Sequence, residues 1–320
     1  MSEQKSNKWK KVFRLTGTIL SVFLLAYLFY SIGWDEISAG LKELSLSRII
    51  AVVVIIFISK LDTFARWHML LQVEQKKVNW KDSLRLTLAG LFVGNFLPTT
   101  VGGDVVRLAG AVRLGIDASL AAASLVVDRL IGMTGMALAL PVGLFQVSAL
   151  LNQTSQQAVS STKFLSLAVW NQKIFSGIKK LITRAIESFV YWYKHPIYLL
   201  LALFFTLVHM VCLFGIIKIL TAGMNEQISF WSIAGLWSLT YFITLIPISV
   251  NGIGLQELSF VNLFTLFGGL THSTALTVAL FIRILMMIGS APGAFFISGI
   301  LSGQAYTKLD PNLVSEVDHL

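Results

Sequence analysis

The chain has 320 residues, of which 55% are hydrophobic and 13% are charged, and its formal net charge is +9. This composition excludes an average soluble domain and is typical of a polytopic membrane protein. The single cysteine, Cys212, excludes an internal disulfide and a cysteine-based metal site within one chain. Because the basic residues lie mostly outside the apolar runs, they fit membrane-flanking positions, and no nucleic-acid partner is expected.

The N-terminus carries five basic residues directly before an apolar run at 15–32. The run is long enough for a membrane span, too long for most signal-peptide cores, and not clearly followed by a small-residue cleavage signal. We interpret it as the first transmembrane helix. The basic cluster before it predicts a cytoplasmic N-terminus.

A second span is predicted at 48–71, and it contains Lys60, Asp62 and Arg66. Ionisable groups at this depth usually face a bundle interior or a water-filled cavity. Asp62 and Arg66 are four residues apart, so a mutual ion pair is the structural interpretation. That pair would leave Lys60 without a partner.

A helix break is predicted at 97–107, inside an apolar context. Pro98 removes a backbone donor, Gly102 and Gly103 tolerate any φ, and Asp104 can cap a helix that restarts there. Irregular chain at membrane depth persists only where it is buried in protein or lines a wet cavity. This stretch is therefore a candidate site.

The same pattern returns at 246–257. In each copy a proline is followed by three residues and then by a pair that contains glycine. The pair is Gly-Gly in the first copy and Asn251-Gly252 in the second, where Ser249 lies between Pro247 and the pair. Corresponding interruptions in two halves of a membrane protein point to a binding site shared between transporter repeats. Ordinary loops between short spans are the alternative.

Further spans are predicted at 118–150, 197–220, 230–245, 253–270 and 274–301, the first with Asp128 and Arg129 inside its apolar pattern. Between them, 152–173 is a polar connector. The segment 174–193 has an apolar stripe opposite a basic face, which predicts a helix lying along the membrane surface with Trp192 and Tyr193 as anchors. If the first break is a re-entrant hairpin, this basic helix lies on the outer side of the membrane. If the chain crosses the membrane at the first break, the helix is cytoplasmic, and the sequence leaves both alternatives open.

The fold class predicted from these elements is an all-α polytopic membrane helix bundle, with two broken segments, re-entrant or discontinuous, in a pseudo-repeat. A single membrane domain at 1–301 comprises a first half at 1–150, a connector and interfacial helix at 151–196, and a second half at 197–301. A short polar tail follows at 302–320.

Cationic groups in or near the apolar segments suggest the class of ligand. Arginine offers a planar fork that matches phosphate oxygens. A helix restarting after Gly103 would also direct free amide groups at an anion. Nearby acids could instead satisfy Arg107 and Arg129, and both alternatives stay open. Arg283 has no acidic residue within a helical turn, which favours a ligand role for it.

Four motifs in order carry a family resemblance: 94–98 (GNFLP), 102–107 (GGDVVR), 128–132 (DRLIG), and 247–257 with Pro247, Ser249, Asn251, Gly252 and Glu257. Together they resemble the lysylphosphatidylglycerol synthase transmembrane-region family, which is similar to the membrane half of the multiple peptide resistance factor. The resemblance implies a flippase-like protein of the bacterial or archaeal inner membrane that moves a phospholipid or polyprenyl-phosphate lipid between leaflets. Because the chain ends soon after its last span, we expect no soluble aminoacyl-transferase domain and no synthase activity.

Signals of catalysis are weak. The five histidines show no metal-ligand spacing, most fall near span ends, and no Walker loop or nucleophile elbow occurs. We therefore predict no catalytic residue, no metal and no cofactor. An integral-membrane lipid-modifying transferase that uses Asp104, Asp128 or Glu257 is the alternative, and a homo-oligomer stays open.

The candidate ligand-binding residues are Lys60, Arg66, Asn95, Pro98, Gly102, Gly103, Asp104, Arg107, Asp128, Arg129, Pro247, Ser249, Asn251, Gly252, Glu257 and Arg283.

Overall fold

The computed structural model describes residues 44–73, 78–96, 102–153, 192–246 and 252–297, and no β-strand occurs within these ranges. The main helices are α1 (Leu46–Leu71), α2 (Trp80–Phe96), α3 (Gly102–Arg113), α4 (Ala118–Gln153), α5 (Pro196–Gly223), α6 (Phe230–Thr244), α7 (Leu255–Leu266) and α8 (His272–Ser290). The predicted span at 15–32, most of the predicted surface helix at 174–193, and the tail lie outside the described residues. Both break prolines, Pro98 and Pro247, also lie outside them.

Among the described residues, three helical segments are long and apolar enough to cross a membrane, at 118–149, 196–223 and 272–297. They match spans predicted from the sequence. The last of them, predicted at 274–301, corresponds to the described segment 272–297, in which α8 ends at Ser290 and a 3₁₀ turn follows at Ala291–Gly293. Pro292 explains this turn, because proline has no N–H to continue the α-helical ladder.

The helices α2 and α3 form an antiparallel hairpin around the first break. Gly94 lies beside Gly103, and Gly110 lies against Leu86. The helix after the break begins at Gly102, two residues before the predicted restart at Asp104. Gly102 and Gly103 are therefore helical residues without a positive φ, contrary to the conformational role that the sequence suggested.

A second hairpin, α6 with α7, follows the same plan. The Trp237 ring packs edge-on against the Phe260 ring at 5.9 Å, and Leu236 lies against Gly268. Before α7 the chain turns through Gly252 and Gly254, whose φ angles of 70° and 80° are conformations that residues with a Cβ rarely adopt.

The glycine at 103 is required by packing of backbone on backbone. A Cβ at this position would lie 2.2 Å from the Gly90 carbonyl oxygen on the facing helix. We expect Gly103→Ala to lower the free energy of unfolding by about 1–3 kcal/mol, because the two helices must separate to admit a methyl group.

Gly215→Ala is the matched control for this substitution. A Cβ at Gly215, inside α5, would meet nothing within 4 Å, so we expect it to be neutral or to stabilise by up to about 1 kcal/mol through helix propensity. Unfolding of the purified proteins in detergent measures both effects. Equal stability of the two variants would show that the close helix approach is unimportant.

The helices α1 and α5 pack antiparallel at the centre of the bundle. Leu44 lies beside Gly223 at one end, the Ser59 hydroxyl lies 3.0 Å from His209 Nδ1 at the middle, and Trp192 Nε1 donates to the Leu70 carbonyl at the other end. Trp192 is fully buried, so the prediction that it anchors at the membrane surface was wrong, whereas Tyr193 is exposed.

Two apolar clusters fill opposite ends of the bundle. One contains Val52 and Ile56 of α1, and the other contains Trp67, Leu70 and Leu71 of the same helix. The stretch of α1 between these clusters carries its buried polar residues Ser59, Lys60 and Asp62. Polar groups are thus concentrated in a layer between two apolar ends.

Candidate functional site

The polar layer is built around Asp128 on α4. Its Oδ1 accepts a hydrogen bond from Arg66 Nε of α1 at 2.6 Å, and its Oδ2 accepts from Arg107 Nη2 of α3 at 3.1 Å. The carboxylate is buried and joins the three helices α1, α3 and α4. The Asp62–Arg66 pair suggested by helical spacing is therefore wrong, since Arg66 points to Asp128, which also binds Arg107.

A second aspartate extends the same group. Asp104, in the first turn of α3, accepts from Arg107 Nη1 at 3.2 Å and from Arg129 Nε at 2.5 Å. We call the five residues Arg66, Asp104, Arg107, Asp128 and Arg129 the arginine–aspartate network. With three arginines and two aspartates, its formal charge is +1.

Arg107 has several contacts beside its two ion pairs within this network. Its guanidinium lies over the Trp67 ring at 4.3 Å, and Trp67 Nε1 donates to Ser124 Oγ at 3.1 Å. The buried Nε of Arg107 has no hydrogen-bond partner among the described residues. Cation–π contact and two aspartates fix the position of this arginine.

The network opens at Arg129. Its side chain is 40% exposed, whereas those of Arg66 and Arg107 are 14% and 8% exposed. The network is therefore accessible at the Arg129 side chain and largely closed at Arg66 and Arg107.

The second half of the chain holds a smaller ion pair. Arg283 Nε on α8 donates to Glu257 Oε1 of α7 at 2.6 Å, and Glu257 Oε2 accepts from the Gly254 N–H at 2.8 Å. Arg283 Nη2 also lies 3.3 Å from the Gly252 carbonyl and 3.3 Å from Gln256 Oε1. Arg283 has no acidic residue within a helical turn, and its carboxylate partner comes instead from α7, beside the second break.

These two sites occupy matching places in the two halves. Asp104 is the third residue of α3 and Glu257 is the third residue of α7, while Arg129 and Arg283 are each the twelfth residue of the long helix that follows. Each half thus places one carboxylate at the start of a short helix and pairs it with one arginine inside a long helix.

Residues 14–293, almost the whole chain, match the sequence model of one protein family, the lysylphosphatidylglycerol synthase transmembrane region. The chain belongs to this family. Members are membrane-associated and lipid-related, which agrees with the three apolar spans found in the part of the chain that the structure describes. No curated protein matches the chain.

Two further candidate ligand-binding residues, Lys60 and Asn95, contact one face of α8. Lys60 Nζ lies 3.2 Å from Met286 Sδ, and Asn95 Nδ2 donates to Ser290 Oγ at 2.6 Å. Met286 and Ser290 follow Arg283 by three and seven residues, so all three lie on the same side of the helix. Lys60 is buried, and no described carboxylate lies within ion-pair distance of it.

The remaining candidates fall at or beyond the break edges. Gly102 is buried in the first turn of α3. Pro98, Pro247, Ser249 and Asn251 lie outside the described residues. The structure therefore brings Arg66, Asp104, Arg107, Asp128 and Arg129 together and brings Gly252, Glu257 and Arg283 together. Lys60 of α1 and Asn95 of α2 contact side chains of α8, the helix that carries Arg283.

Sequence reasoning missed three residues that shape the site: Gly90, Trp67 and His209. Gly90 is paired with Gly103 across the hairpin, and the recurrence of glycine four residues apart at 90 and 94 was an available signal. His209 lies inside α5 against Ser59, away from the span ends where the histidines were expected. A histidine within an apolar span was the signal for it.

Proposed function

We propose that this chain moves a phosphate-bearing lipid between the leaflets of a bilayer, with the arginine–aspartate network as the headgroup site. The observation that carries the proposal is the net charge of +1 on a largely buried network that opens at Arg129. A phosphodiester carries one negative charge, so it would neutralise this excess while its oxygens accept from arginine. Phospholipids and polyprenyl-phosphate lipids share this chemistry.

The two halves support an inverted pseudo-repeat. Within the described residues, each half contains a long helix, a hairpin of two shorter helices, and a second long helix. The contacts are reciprocal: Gly143 of α4 touches Gly235 of α6, and Leu88 of α2 touches the turn at Gly293 after α8. The first helices of the halves, α1 and α5, are antiparallel, as expected when the repeat axis lies in the membrane plane.

An inverted repeat favours transport because the two halves can exchange roles. Binding sites in such proteins lie at the repeat interface, near helix interruptions, and rocking of one half against the other exposes them to alternate sides. We propose that the breaks around Pro98 and Pro247 are re-entrant segments that flank this interface. In the proposed orientation the N-terminus is cytoplasmic and the protein resides in the inner membrane.

A lipid-modifying transferase is the second candidate, and the ion pairs argue against it. Such an enzyme would use Asp104, Asp128 or Glu257 as an acid or base. Each of these carboxylates accepts a hydrogen bond from at least one arginine, so each has a structural function that a free general base would not need. The proposal is accordingly for a transporter and not for an enzyme.

Arg129 is the residue that tests the headgroup site. We expect Arg129→Ala to slow leaflet exchange of a fluorescent anionic phospholipid in liposomes by roughly 10–100-fold, the effect of losing a hydrogen bond from a charged donor. Arg129→Lys keeps the charge without the fork and should fall between the alanine variant and the unmodified protein.

Arg85→Ala provides the matched control, because Arg85 is an exposed arginine that forms an ion pair with Asp82 at the surface. Its exchange rate should equal that of the unmodified protein. If Arg129→Ala and Arg85→Ala both exchange lipid at the unmodified rate, the network is not the headgroup site.

A further inference from the structure

A groove outside the arginine–aspartate network lies between the start of α1 and the end of α5. It has a volume of about 320 Å³ and is lined by Ser47, Arg48, Ala51, Lys218, Ile219 and Ala222. Arg48 and Arg66 are separated by 18 residues of one helix, about 27 Å along its axis. The groove is therefore separate from the headgroup site proposed above.

Two cations on facing helices mark this groove. Lys218 Nζ donates to the Ile228 carbonyl at 2.7 Å, which holds its ammonium group near the groove. Arg48 is exposed, and its Nη1 lies beside Gly223 of α5. No carboxylate lines the groove, and in the described ranges neither cation belongs to an ion pair.

The surface below these cations is apolar and exposed. Ile50 and Val54 project from α1, and Val211 projects from α5, each with more than half of its surface accessible. Trp231, at the start of the next helix, is also exposed, as expected for an aromatic residue at a membrane–water interface. Charge at the interface above an apolar wall is complementary to a lipid with an anionic headgroup and acyl chains.

We propose that this groove binds an anionic glycerophospholipid of the surrounding bilayer, with Arg48 and Lys218 holding its phosphate and Ala51 and Ile219 contacting its glycerol and first acyl carbons. The bound lipid stabilises the packing of α1 against α5. This site holds a resident lipid, independent of whether the network translocates one.

The test compares nanodiscs of phosphatidylglycerol with nanodiscs of phosphatidylcholine. The double variant Arg48→Gln and Lys218→Gln removes both charges but keeps an amide donor for the Ile228 carbonyl. We expect the unmodified protein to have a higher Tm in phosphatidylglycerol and to retain this lipid in native mass spectrometry. The double variant should lose the Tm difference and retain about tenfold less lipid.

Two further variants separate the outcomes. Lys81→Gln, which removes a cation above the Trp80 ring near the start of α2, should keep the lipid-dependent Tm difference. Ala51→Phe fills the groove without changing charge and should remove that difference. Glycerol phosphate added to protein in detergent should not raise the Tm, because the acyl chains are absent.

A double variant that keeps the full Tm difference would overturn the proposal. An equal loss of Tm in both lipids would also overturn it, because the two cations would then stabilise the protein independently of the lipid, as Lys218 does through the Ile228 carbonyl. A Tm increase with glycerol phosphate alone would overturn it too, because it would show that the groove binds a free phosphate compound and does not need acyl chains.

Discussion

Asp128→Asn should lower the free energy of unfolding by about 3–5 kcal/mol, because it leaves buried arginines without their shared counter-charge. Arg66 and Arg107 both donate to Asp128, and their side chains are 14% and 8% exposed. An asparagine keeps the shape and one acceptor oxygen but loses the charge that offsets their desolvation. Chemical unfolding in detergent micelles measures the change.

Asp82→Asn is the control for Asp128→Asn, since Asp82 pairs with an arginine that is 47% exposed. We expect a change below about 1 kcal/mol there. The double variant Arg66→Gln with Asp128→Asn should recover part of the lost stability because it removes one unpaired charge. Similar stabilities of Asp82→Asn and Asp128→Asn would show that the network does not hold α1, α3 and α4 together.

Arg283→Ala should have a comparable effect on the second hairpin. It leaves Glu257, whose side chain is fully buried, without its cation, and we expect a loss of about 3–5 kcal/mol. Lipid exchange should also fall sharply. Arg283→Lys keeps the charge but loses the fork that reaches Glu257, Gly252 and Gln256 together, so it should lie between the alanine variant and the unmodified protein.

A neutral pair distinguishes a structural role of Arg283 from a transport role. The double variant Glu257→Gln with Arg283→Gln removes both charges and should restore stability. If Arg283 contacts the headgroup during transport, exchange remains slow in this folded double variant. Exchange at the unmodified rate would restrict Arg283 to holding α7 against α8.

Helix positions could be predicted from the sequence because membrane thickness dictates the length of apolar runs. The spans at 118–150 and 197–220 match described helices closely for this reason. The 3₁₀ turn at Ala291–Gly293 inside the last span was not predicted, because the apolar run continues past Pro292. Trp192 was misplaced because its partner, the Leu70 carbonyl, lies 122 residues away.

The identities of the site residues could be predicted, but their partners could not. Charged residues are rare in apolar runs, and this rarity identified Arg107, Asp128 and Arg283 as candidates from the sequence alone. Helical spacing then assigned Asp62 to Arg66, whereas the fold brings Asp128 from 62 residues away. Arg283 lacked a local acid because its carboxylate is supplied by another helix, 26 residues earlier. Ion pairing across helices depends on tertiary packing, which local spacing does not contain.

The proposed function is tested most directly by following one labelled lipid in proteoliposomes and measuring both its leaflet position and its mass. Purified protein is reconstituted with a fluorescent phosphatidylglycerol, accessibility to a membrane-impermeant quencher reports the leaflet, and mass spectrometry reports the chemical identity. We expect the labelled lipid to redistribute faster than in protein-free liposomes while its mass stays unchanged. A product of new mass, or redistribution no faster than in protein-free liposomes, would contradict lipid translocation by this chain.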